Sequence, residues 1–122
     1  MCLRNNRGAQ VLNGQLFHVK EMKGTTKTGK VTMDLTPDDA RGIRSVTTHM
    51  KFFRGEEEDF SWQARKKYTE FTYGYALTCH KSQGSQWDNV YLFNEGFGPR
   101  EERSRWLYTG VTRAAESITV VL

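Results

Sequence analysis

Apolar and polar positions change rhythm twice along the chain. Up to about residue 53 the apolar residues fall in short runs, at 1–4, 16–22, 31–35 and 45–53, the last rich in β-branched and aromatic side chains. Such runs suit half-buried strands, and Asn13-Gly14 and Lys23-Gly24 predict turns. Several short strands with polar links and hardly a helix-period stretch predict a small antiparallel barrel rather than a layered α/β unit. Residues 54–70 break the pattern. The acidic cluster Glu56, Glu57, Glu58, Asp59 is followed by Arg65, Lys66 and Lys67, and a connector with one helical turn is expected. From Phe71 onward an apolar run (Tyr73, Tyr75, Ala76, Leu77), a polar loop, a second run (Val90, Tyr91, Leu92, Phe93), a helix candidate and a closing run 118–122 predict the order β, loop, β, α, β.

The helix candidate rests on Leu107, Val111, Ala114 and Ala115, which fall at i, i+4, i+7 and i+8 and predict one buried stripe, with Thr109, Thr112 and Arg113 on the other side. Glu101 and Glu102 near its start favour the positive end of a helix dipole. Only two residues separate Ala115 from Ile118, so the chain is expected to turn straight back into a strand. A strand, helix, strand unit of this length is normally a parallel, right-handed crossover, and ligands of such sheets gather at the carboxyl ends of the strands. The loop leaving the strand expected at 75–78 is therefore the first place to look for chemistry.

Composition narrows the class. The 122 residues are one domain's worth of chain, or one small domain plus an insertion, with hydrophobic and aromatic contents of 37% and 12% that suit a folded protein, so disorder is not indicated and no large multidomain machine is expected. The net charge of +4 is uneven: residues 1–53 hold nine Lys/Arg against four Asp/Glu, whereas 54–122 hold nine against ten. That basic first half fits both an anionic partner such as nucleic acid and a solvated basic face. No run of 18 apolar residues occurs and the opening residues lack the apolar centre of a signal peptide, so no membrane contact and a cytoplasmic location are expected. Cys2 and Cys79 are too few for a disulfide scaffold and lack metal-ligand spacing, so reduced thiols and no metal ligands are expected.

Two segments carry candidate chemistry. Gly24-Thr25-Thr26-Lys27-Thr28-Gly29-Lys30 matches a phosphate-binding P-loop as far as GxxxxGK, but Val31 stands where a Ser or Thr would bind Mg²⁺. Strand-like runs flank it where a helix is needed, so it predicts a hairpin turn. Residues 78–86 (Thr78, Cys79, His80, Lys81, Ser82, Gln83, Gly84, Ser85, Gln86) form a dense polar run after an apolar one. Hydroxyl, imidazole, ammonium and backbone N–H donors suit phosphate oxygens, and Gly84 admits close backbone approach; the same composition also fits a polar surface turn.

The stretch from Tyr73 through Leu77 and Thr78-Cys79-His80-Lys81-Ser82-Gln83-Gly84, followed by Tyr108-Thr109-Gly110-Val111-Thr112-Arg113-Ala114, resembles motifs V and VI of superfamily 1 DNA helicases, most closely the RecD-like and Dda-like branch with its UvrD-like C-terminal domain. Leu3-Arg4-Asn5-Asn6 and Leu12-Asn13-Gly14-Gln15 also resemble the opening of that branch's SH3-like insertion. The resemblance implies an α/β fold: the second half of a RecA-like P-loop helicase domain, preceded by a small SH3-like β-barrel insertion. It divides the chain into an insertion at 1–55 with the entry strand of the second motor domain, a connector at 56–70, and the motor portion at 71–122.

The same resemblance implies roles for matching residues. Arg113 corresponds to the motif VI arginine, which reaches toward the γ-phosphate of ATP as an arginine finger, a device worth ~10³–10⁵ in rate in related phosphoryl transfers. Thr78, His80 and Lys81 are assigned to the DNA backbone, and Gln83 and Gly84 with Arg113 to the nucleotide. A surface ion pair for Arg113 and a packing role for His80 are the structural alternatives. Phe52, Phe53, Phe60 and Trp62 are candidate base-stacking residues, with core packing the favoured role, and Lys27 and Lys30 candidate phosphate contacts. ATP and Mg²⁺ are the implied cofactors, bound mainly by a first RecA-like domain whose P-loop lysine and acidic motif do not occur in this sequence. The expected partners are single-stranded DNA and that N-terminal RecA-like domain. The chain is accordingly expected to be an inactive fragment of a helicase and ATPase, with Met1 an internal methionine of the parent. A stand-alone, non-enzymatic nucleic-acid-binding module and part of an exonuclease V α-subunit are the alternatives.

Overall fold

A computed structural model describes residues 1–94 and 98–122 and divides into two units, Met1–Tyr75 and Ala76–Leu122. The first is built on a three-stranded antiparallel sheet in the order β1 (Phe17–Thr25), β2 (Lys30–Pro37), β3 (Arg44–His49). Central β2 buries Val31, Met33 and Leu35, and the core continues through Cys2, Val11, Val46 and Phe71. β1 is an exposed edge whose pairing with β2 slips twice, between Val19 and Glu21 and between Met22 and Gly24. Lys23-Gly24, expected as a turn, therefore lies inside β1 at a bulge. The reversal comes later, at 26–29, where Thr26 N donates to Lys30 O at 2.9 Å and Gly29 N to Thr26 O at 2.9 Å. The GxxxxGK match is this hairpin turn.

Other local expectations change for identifiable reasons. The run 45–53 is strand only to His49, because the His49 Nδ1 accepts the Lys51 N–H at 3.2 Å and caps a short helix α1 (Met50–Arg54). Residues 56–70, expected as a connector, lie in the first unit. They form a 3₁₀ turn (Glu57–Asp59) and a helix α2 (Trp62–Arg65), capped by the Ser61 hydroxyl. Of the four candidate stacking aromatics, Phe52 is buried and stacks on Phe60 with ring centroids 5.3 Å apart, in a cluster that includes His49 and Tyr68. Phe53 packs on Tyr73, whereas Trp62 is exposed beneath the Lys66 ammonium.

Two polar networks tie this unit together. Buried Glu70 accepts from Arg4 Nη1 at 2.8 Å, and from Arg65 Nε at 3.0 Å and Nη2 at 2.7 Å. Arg4 Nη2 also donates to the carbonyls of Arg65 and Tyr68. Beside this fork the first residues pair with the last: Leu3 N donates to Glu70 O at 2.8 Å, Cys2 bridges Phe71, and Thr72 N donates to Met1 O at 3.0 Å. The second network crosses the sheet, where Asp34 on β2 accepts from Lys23 Nζ on β1 at 2.9 Å and from Ser45 Oγ on β3 at 2.5 Å.

The second unit contains a two-stranded parallel sheet, β4 (Trp87–Phe93) and β5 (Ala114–Val121), joined through helix α3 (Arg100–Val111). The expected β, α, β order is present, with three corrections. Residues 75–78 form no strand. The helix ends at Val111, since Ala114 and Ala115 are drawn into β5 by the pairing of Trp87 with Ala114. The predicted stripe is correspondingly not buried: Leu107 and Val111 remain exposed and Gly110 is the buried position of α3. A Cβ at Gly110 would lie 2.7 Å from Leu92 Cδ1, so close approach of helix to strand requires glycine there. Among the described residues no helix is long and apolar enough to cross a membrane.

Replacing Glu70 by Ala should lower stability by about 2–3 kcal/mol, less than a fully buried pair would lose because both arginines can rehydrate. An unchanged urea midpoint would show that the two arginines find other partners. Lys23, and after it Ser45, hold the Asp34 carboxyl below the usual carboxylate range. Its contribution should therefore be complete above the unfolded value of about 3.9 and fade as pH falls through the lower folded value. Asp34→Asn should flatten that part of a plot of urea midpoint against pH.

Candidate functional site

The polar run 78–86 folds as a tight, self-bonded turn. Thr78 starts it: its hydroxyl accepts from Lys81 N at 3.3 Å and its carbonyl from Ser82 N at 3.1 Å. A 3₁₀ turn follows (His80–Ser82), in which the buried Ser82 donates its hydroxyl to Cys79 O at 2.6 Å. Gln83 N donates to His80 O at 3.3 Å, and Gly84 takes the left-handed conformation, φ 84°. Thr78, His80, Lys81, Gln83 and Gly84 are all exposed to solvent. His80 is thus not a packing residue.

Because residues 75–78 form no strand, the turn does not leave a strand's carboxyl end as expected. It leads into β4 instead, and Arg113 occupies the matching position before β5, with Trp87 N donating to Arg113 O at 2.9 Å. The two candidate segments consequently meet at the amino ends of neighbouring parallel strands.

Arg113 is half-buried and its guanidinium makes three hydrogen bonds: Nε to Thr109 O at 3.0 Å, Nη1 to Ser85 O at 3.1 Å and Nη2 to Thr112 Oγ1 at 3.0 Å. A cation just beyond the last turn of α3 also suits the negative end of the helix. An arginine side chain has five N–H donors, so two remain without a partner among the described residues. A second tie joins the turn to the helix, from Cys79 Sγ to Trp106 O at 3.3 Å. Burial pushes the Cys79 thiol above its usual range, only partly opposed by the Arg113 charge, so it is a structural donor and not a reactive thiolate.

The structure therefore brings Gln83, Gly84 and Arg113 into one neighbourhood through Ser85, with Thr78, His80 and Lys81 on the same turn. Ser85 was missed in the sequence because it contributes a main-chain carbonyl, for which residue type gives no signal. The tie of Cys79 to the helix is likewise a contact to a main-chain carbonyl, which only the fold reveals. Among the described residues no group of three or more His, Cys, Asp or Glu is arranged to hold a metal ion.

Gly110→Ala should push α3 away from Leu92 and destabilise this unit by about 1–3 kcal/mol. Weakened hydrogen-exchange protection in α3 and β4 would report it, and unchanged protection would mean that Leu92 repacks freely.

Comparison with protein families matches residues 73–121, about two fifths of the chain, to the UvrD-like helicase C-terminal domain. No curated protein and no solved structure matches the chain.

Proposed function

We propose that the chain, whose residues 73–121 form a UvrD-like helicase C-terminal region, works as the single-strand-contacting and nucleotide-completing part of an ATP-dependent DNA helicase of the RecD-like or Dda-like branch. The observation that carries this reading is the hydrogen bond from Arg113 Nη1 to Ser85 O. It joins the motif VI arginine to the motif V turn in one rigid constellation, as coupling between nucleotide and DNA requires.

In this reading the exposed Thr78, His80 and Lys81 hold the sugar-phosphate backbone, Lys81 as a charge and Thr78 and His80 as donors. Gln83 and Gly84 face the nucleotide. Arg113 offers its two unpartnered N–H groups to phosphate oxygens, and its three local bonds fix the guanidinium so that little reorganisation is needed when charge develops. ATP with Mg²⁺ supplies the phosphoryl group whose hydrolysis drives the motor, and an N-terminal RecA-like domain of the same motor holds the ion. Arg113 fits that division, since a guanidinium suits phosphate oxygens.

Residues 1–55 are then the SH3-like insertion with the entry strand of the second motor domain, and 56–70 the connector. The basic excess of residues 1–53 favours a nucleic-acid surface on the insertion.

The 122-residue chain should bind a short oligothymidylate with an affinity that falls steeply with salt, and Lys81→Ala should weaken it and reduce the salt slope by about 0.7, the value for one lost contact on a single strand. It should show no DNA-stimulated ATP hydrolysis by itself. Salt-independent binding untouched by Lys81→Ala would overturn the DNA assignment, and ATP turnover by the pure chain would overturn the divided site.

A further inference from the structure

The turn that imitates a P-loop borders a cleft of about 230 Å³, formed between the β1–β2 turn and helix α1. Lys27 and Arg54 line it, and neither has an ion-pair or hydrogen-bond partner among the described residues. Lys51 also lines it but is already paired with Asp59 at 2.9 Å. His49 lines the same cleft and is 6% exposed. Its Nδ1 is committed as the acceptor for Lys51 N. The neutral ring therefore carries its proton on Nε2, a donor with no partner among the described residues.

Glycine at position 29 keeps this wall in place. Its φ is +93°, and a Cβ there would sit 2.9 Å from His49 Cε1. The hydroxyls of Thr26 and Thr28, 2.8 Å apart, complete the rim. One carboxylate, Glu56, also borders the cleft. Lys27 and Arg54 against Glu56 give the cleft a net charge of +1, with Lys51 neutralised by Asp59, which matches the single negative charge of a phosphodiester better than the −1.5 to −2 of a phosphate monoester. Several converging N–H and O–H donors suit the multiple oxygens of a phosphate.

We propose that this cleft binds one phosphodiester of single-stranded nucleic acid, with Lys27, Arg54 and the His49 Nε2–H as its donors and Glu56 limiting its affinity. The proposal rests on the nucleic-acid reading and gives the first unit a contact of its own, on residues other than the turn at 78–86.

Amide chemical-shift titration of the 122-residue chain with a twelve-residue oligothymidylate tests it, with inorganic phosphate as a second probe. Saturable shifts at Thr26, Gly29 and Lys51 are expected, and these shifts should persist in Lys81→Ala. Joint replacement Lys27→Ala with Arg54→Ala should remove them and lower the salt slope by about 0.7. Glu56→Gln, an exposed and structurally mild change, should tighten oligonucleotide binding about twofold or more. Shifts confined to residues 78–86 would overturn the cleft while leaving the helicase reading intact. Shifts in the cleft with inorganic phosphate but none with the oligonucleotide would overturn the phosphodiester assignment. Absence of shifts anywhere would overturn both readings, and failure of Glu56→Gln to tighten binding would overturn the role given to Glu56.

Discussion

The first unit depends on one carboxylate. Glu70 lies buried between the guanidinium groups of Arg4 and Arg65, and Arg4 in turn holds the carbonyls that end the α2 segment. Ion pairs in such positions commonly add less stability than an apolar replacement would, yet losing one partner is costly. What this pair supplies is registration. It fixes the opening residues of the unit against its closing ones, and the main-chain bonds at Leu3 and Thr72 follow from that alignment. The sheet can then be edged by β1, whose two bulges and lysines discourage pairing with another chain.

The second unit relies on close approach where the first relies on charge. A parallel pair of strands needs a crossover, and α3 supplies it by lying directly on Leu92 through Gly110. Its remaining apolar residues are largely exposed, including Tyr91 and Phe93 on β4. Parallel sheets are ordinarily covered on both faces, and these are the side chains such a cover would bury.

Much of this was legible in the residues. Three of the four short runs expected as strands form an antiparallel sheet, while residues 1–4 contribute only an isolated bridge and three strands do not make the expected barrel. Val31 in place of a hydroxyl exposed the GxxxxGK match as a turn. The motif residues from Thr78 to Gly84 and around Arg113 carry the family resemblance in the sequence itself. Boundaries were lost where tertiary bonds outweighed local pattern. His49 is a β-compatible residue that becomes a helix cap only because Lys51 N lies within its reach. Ala114 and Ala115 extend a helical stripe in sequence, yet strand pairing with Trp87 claims them. The apolar run around Tyr75 lacks a partner strand among the described residues, and a strand without a partner does not form.

Arg113 has a mechanical consequence. The bonds that hold its guanidinium also terminate α3, one to the Thr109 carbonyl inside the helix and one to the Ser85 carbonyl at the mouth of β4. The side chain therefore acts as a latch between a helix end and a turn. It cannot be drawn outward while both remain in place, so any pull on its tip is transmitted as strain to the last turn of α3, and any shift of the turn is felt at the tip.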